Sequence, residues 1–96
     1  MSASQSQLEK TAREFLGHNF QGLKIVDVIV NKRIDYDNDE VIDLNVIYDG
    51  KFRAADVRSM SSAVWLFREQ LEKIGETAFP LFSFISSDEV PRRKRA

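Results

Sequence analysis

The sequence predicts an α+β fold of two layers, an antiparallel sheet with two helices on one face, in the order α-β-β-β-α-β. Three observations predict it. Apolar residues recur at helical spacing over residues 8–16 and again over 57–74. They alternate with period two over residues 23–34 and 41–48. Turn chemistry, DYDNDE and YDGKF, falls between the alternating runs. The 96 residues make one domain, which buries roughly two-thirds of its unfolded surface at this size.

Residues 4–16 open the chain as a helix. Ser4 and Gln7 have capping-box spacing, and Leu8, Ala12, Phe15 and Leu16 fall on one side. Gly17 suits the left-handed position that ends many helices. In the first strand, residues 23–34, Val26, Val28 and Val30 share one face, while Ile25 and Ile29 share the other. In the second, Ile42, Leu44, Val46 and Tyr48 mark the core face; Val41, Asp43, Asn45 and Ile47 point away. These two strands are expected to pair as an antiparallel hairpin.

Asp49-Gly50 signals a second tight hairpin, because a type I′ turn needs positive φ at both central positions. A short third strand over residues 51–54 would complete a meander. Asp56 is the expected N-cap of the second helix, whose stripe is Val57, Met60, Val64, Phe67, Leu71 and Ile74. Gly75 should end it, with Lys73 complementing the dipole in the last turn. Residues 78–86 read as a final strand, with Pro80 confined to a strand start or an edge. The compact domain is expected to span residues 1–88, and residues 89–96 to form a basic, disordered tail.

Several function classes find no support in these residues. Asp35, Asp37 and Asp39 alternate like a calcium loop. However, an EF-hand starting at Asp35 needs Gly and Glu where Glu40 and Val46 stand. The acidic run therefore reads as a turn. His18 is the only histidine and there is no cysteine, so metal and nucleophile chemistry lack their usual ligands. No phosphate-binding glycine loop or nucleophile elbow is present. The expectation is a non-catalytic protein with no cofactor and no metal. No apolar leader, no cysteine and no spanning segment point to a cytoplasmic protein with no membrane partner.

Two surfaces remain as candidates. With helices on one sheet face, the other face displays Ile25, Ile29, Val41, Ile47, Leu81 and Ile85. A contiguous apolar patch of that kind marks a contact with a partner or with a second copy as a homodimer. Trp65 falls off the apolar stripe of the second helix, beside Arg68, a composition typical of interface hot spots. The leading reading is a small protein-interaction module of the adaptor, antitoxin-like or immunity-like kind, using the outer face through Ile25, Ile29 and Ile47, with Trp65 and Arg68 alongside. The alternative is a nucleic-acid accessory protein. Its tail holds Arg92, Arg93, Lys94 and Arg95, and without these four the remaining 10 basic and 15 acidic residues leave a net charge of −5. Such a tail offers salt-sensitive phosphate contacts, but no RNP aromatic motif or GXXG loop accompanies it.

Overall fold

The structure is a computed structural model and describes residues 3–89. Helix α1 (Gln5–Asn19) precedes a hairpin of β1 (Lys24–Ile34) and β2 (Glu40–Asp49). Helix α2 (Ala54–Lys73), strand β3 (Phe79–Ser86) and one 3-10 turn (Ser87–Glu89) follow. The sheet has three strands in the order β1-β2-β3. β1 and β2 are antiparallel, whereas β2 and β3 are parallel. The α+β class and its two helices stand as expected. The antiparallel four-stranded sheet is corrected to a mixed sheet of three.

The missing strand has a local cause. Gly50 takes φ of 103° and turns the chain out of the sheet, but Asp49 does not share its positive φ. The type I′ hairpin therefore does not form. Only residues 51–53 separate Gly50 from α2. The Arg53 backbone N–H donates to the Asp56 carboxylate at 2.8 Å, and its guanidinium donates to both carboxylate oxygens at 3.1 and 3.2 Å. This pairing starts a helix where a strand was expected. It also moves the N-cap to Arg53 and puts Asp56 in the first helical turn. Asp56 is buried, and the Arg53 guanidinium, with the Arg53 N–H next, holds its carboxyl below the usual range.

The length of α2 sets the direction of β3. Its 20 residues run back about 30 Å. The 10 residues of β2 cover about 33 Å. The chain therefore re-enters the sheet at the end where β2 began, and a strand entering there is parallel to β2.

α1 has the expected capping box: the Gln7 N–H donates to Ser4 Oγ at 3.2 Å, and the Ser4 N–H to Gln7 Oε1 at 3.1 Å. It runs past Gly17, which faces open space, to Asn19. The helix ends where Phe20, fully buried, turns into the core. The hairpin turn is built on Asp35. Its carboxylate accepts the N–H groups of Asp37 and Asp39 at 2.9 and 3.0 Å, while Asn38 adopts φ of 69°. The acidic run is a side-chain-stapled turn.

Both helices lie over one sheet face, where Val28, Val30, Ile42, Leu44 and Val46 meet Leu8, Ala12 and Leu16 of α1 and Ala63, Phe67 and Leu71 of α2. Aromatic rings run through this core. Phe15 meets Phe67 at 5.1 Å, Phe67 meets Phe82 at 5.5 Å, and Phe84 meets Phe20 at 5.2 Å. Phe52 continues the chain from Phe84 at 5.9 Å to Tyr48 at 4.8 Å.

One strand departs from strict alternation. Ile25 pairs with Tyr48, but the next pair along β2 is Asp27 with Ile47, so Val26 is extra. The bulge turns Ile25 toward the core, where it packs partly buried, and leaves Val26 48% exposed. The expected faces of Ile25 and Val26 are therefore exchanged.

The end of α2 carries a feature the sequence did not announce. Gly75, at φ of 79°, and Glu76 send their N–H groups back to Glu72 and Leu71 at 3.1 and 2.9 Å, closing a Schellman motif. This turns Glu76 inward, where it is 2% exposed. Its carboxylate accepts the N–H groups of Ala3 (3.1 Å), Thr77 (3.1 Å) and Ala78 (3.0 Å), and pairs with Lys32 at 3.0 Å. Burial pushes the carboxyl up, but the Ala78 N–H, the Lys32 ammonium and the Ala3 N–H outweigh it and hold the group below the usual range. Among the described residues no helix is long and apolar enough to cross a membrane.

Candidate interaction surface

The outer sheet face is built in four cross-strand rows. In order along the sheet they are Asp27–Ile47–Ile85, Ile29–Asn45–Ser83, Asn31–Asp43–Leu81 and Arg33–Val41–Phe79. Both helices pack on the opposite face, so among the described residues no helix covers these rows. Apolar and polar residues are interspersed over it, with Ile47 and Ile85 in the first row, Ile29 and Leu81 in the two middle rows, and Val41 and Phe79 in the last. Arg33 and Asp43 form an exposed ion pair at 2.5 Å between the third and fourth rows.

At one end the face deepens into an open cleft of about 540 Å³. Val41, Phe79 and Leu81 give it apolar surface, and Asp35 and Asp39 of the hairpin turn, with Glu40 at the start of β2, line its acidic side. Val41 is buried there, whereas Phe79 and Leu81 are 38% and 41% exposed. The cleft adjoins the edge of the sheet. Arg68 reaches down from α2, with its guanidinium carbon 5.3 Å from the Phe79 ring centre and 5.7 Å from that of Trp65. Trp65, Arg68 and Phe79 thus form an aromatic–cation–aromatic ladder around the β3 side of the sheet.

These positions locate each residue singled out from the sequence. Trp65 is 64% exposed and stands in the ladder with Arg68. Ile29 is 47% exposed on the outer face, and Ile47 is half-buried on the same face. Ile25 leaves this set because the bulge turns it to the core. The structure brings Ile29 and Ile47 onto one face, with Trp65 and Arg68 round the far edge. Arg92, Arg93, Lys94 and Arg95 lie outside the described residues.

Sequence reasoning missed Phe79 and the acidic side of the cleft. Phe79 shares parity with Leu81 and Ile85, so alternation alone places it on the outer face. Its meeting with Val41 and with the Asp35–Asp39 turn required the parallel register, which no local pattern encodes. Chemically the surface is suited to recognition. Apolar and aromatic area lies beside carboxylates, and the two buried carboxylates, Asp56 and Glu76, are occupied by donors of this chain. Among the described residues no three His, Asp or Glu side chains are grouped to hold a metal ion. His18 sits on a groove between α1 and α2 with Glu14 and Gln70.

Neither a protein-family model, nor a curated protein, nor a solved structure matches this chain.

Proposed function

We propose that this protein is a small, non-catalytic interaction module that docks a protein partner on the outer face of its sheet. The observation that carries this reading is the face itself: Ile29, Phe79 and Leu81 are exposed together, beside a cleft with an acidic side, on a sheet with α1 and α2 both behind it. The chemistry implied for the partner is an apolar anchor flanked by lysine or arginine, which the carboxylates of Asp35, Asp39 and Glu40 complement. Adaptors and small inhibitory accessory proteins act in this way, through a rigid surface with no reaction of their own.

The test uses surface variants that leave the core alone. Ile29→Asp and Leu81→Asp should each weaken capture of the partner about 30-fold or more, the scale of an interface hot spot. The far-ultraviolet circular dichroism and melting temperature of each variant should stay unchanged. Capture is read by light scattering of the complex purified from native lysate, and raised salt should weaken it. Retention of the same partner by both variants would remove the outer face from the proposal.

A further inference from the structure

The two free edges of the sheet differ in kind. The β1 edge is closed. The Gln5 side-chain amide donates to the Val30 carbonyl at 2.7 Å, Arg13 pairs with Asp27 at 2.9 Å, and the bulge at Ile25–Asp27 interrupts the strand. Bulges, charges and covering side chains are the devices that keep an edge from pairing with another chain. β3 has almost none of them. Its sequence, FPLFSFIS, contains no charged residue and only Pro80 as a breaker. Among the described residues no strand pairs with its free side.

The layer above is equally unfinished. Val57, Val64 and Arg68 lie within about 40° of one another around α2. Arg68 reaches Phe79 of β3, so this side of the helix overhangs the free edge. Along it Val57 is 53% exposed, and Met60 and Trp65 nearby are 36% and 64% exposed.

We propose that a second copy of this chain occupies this edge, β3 pairing with β3 antiparallel about a two-fold axis at Ser83. The result is a continuous six-stranded sheet with α2 packed on its copy. Self-complementarity selects this occupant. Proline is tolerated in a ladder when its missing N–H faces away from the paired strand. Pro80 therefore faces the free side, and by alternation so do the backbone groups of Phe82, Phe84 and Ser86. With the axis at Ser83, Phe82 and Phe84 exchange backbone hydrogen bonds with Phe84 and Phe82 of the copy. Pro80 then falls at the end of the ladder, where its missing donor costs least. On the outer face Leu81 meets Ile85 of the copy, and Ser83 meets its own equivalent, with no like charges opposed.

The spacing of the layers agrees. Strands repeat at about 4.8 Å and helices pack at about 8–10 Å, so one helix covers two strands. Adding β3 of a second copy therefore sets the two α2 helices at packing distance. A stable interface buries about 800 Å² on each partner, more than a strand edge supplies alone. The overhanging side of α2 adds the rest.

Ile29 and Ile47 lie on β1 and β2, away from the axis, so Ile29→Asp tests the outer face alone, whereas Leu81 belongs to both surfaces. The full chain contains no cysteine, so a single one introduced at the axis is unambiguous. Under mild oxidation at micromolar concentration, Ser83→Cys should form a disulfide-linked dimer, while Ile29→Cys stays reduced. Light scattering of the unmodified chain should give twice 11.1 kDa. Ser83→Lys, which opposes two cations at the axis, should return it to 11.1 kDa with its circular dichroism unchanged. A monomer at every concentration, a dimer indifferent to Ser83→Lys, or crosslinking no faster than the Ile29→Cys control would each overturn the proposal. So would a complex holding one copy and a foreign strand.

Discussion

Replacing Glu76 with alanine should cost about 3–5 kcal/mol of stability. The change strands several N–H donors and the Lys32 ammonium in or near the interior, and breaking such a buried arrangement from one side is among the costliest single substitutions. Glu76→Gln keeps an acceptor and should cost less. The measurement is a urea midpoint read by circular dichroism, with an unchanged slope showing that the native and unfolded states have not altered otherwise. A loss below about 1 kcal/mol for the alanine variant would mean that water replaces the carboxylate without penalty. The effect depends on pH in a definite direction. The carboxyl is held below its ordinary value in the folded chain. Its contribution is therefore complete above the unfolded value, about 4.3, and disappears as pH falls through the folded one. The native protein should weaken across that acidic window, and Glu76→Gln should weaken less.

Phe67→Ala should be of similar size, about 3–5 kcal/mol. Phe67 is 1% exposed and touches Phe15 and Phe82 at 5.1 and 5.5 Å. Removing its ring opens a cavity at the junction of α1, α2 and β3. A domain of this kind has only about 5–15 kcal/mol in total, so the variant stands close to its unfolding threshold. Phe67→Leu fills most of the space and keeps the test readable if the alanine variant does not fold. Phe79→Ala is the contrast, because its ring lies against Arg68 on the surface. It should cost about 1 kcal/mol or less, as exposed cation–π contacts do. Equal losses at both positions would mean that the aromatic chain is not close-packed.

Much of the fold is legible in the sequence because it rests on local rules. The Ser4–Gln7 box, the alternation of Ile42, Leu44 and Val46, the Asp35 turn and the stop at Gly75 each need only neighbouring residues. What was misread depends on competition or distance. The run IVDVIV is apolar on both parities, so nothing in it marks Val26 as the extra residue of a bulge. Asp49-Gly50 is a sound hairpin signal, but it loses to Arg53 and Asp56, which commit the chain to a helix within three residues. The direction of β3 follows from the length of α2 measured against β2, not from residues 79–86. The candidate surface divides in the same way. Ile29 and Ile47 follow from alternation, whereas the meeting of Phe79 with Val41, and of Arg68 with both rings, appears only once the parallel register is known. Glu76 is the clearest omission. A glutamate just past a helix end ordinarily points to water, and only the Schellman turn aims it inward.

The exposure of Trp65 has an optical consequence. It is the only tryptophan, and 64% of it is open to solvent in the folded chain. Its emission should therefore be red-shifted before any denaturant is added, and unfolding should move it little. Covering the overhanging side of α2 should do the opposite, shifting the emission to shorter wavelength and shielding it from iodide. In this protein intrinsic fluorescence is a gauge of association, blind to the melting of the core.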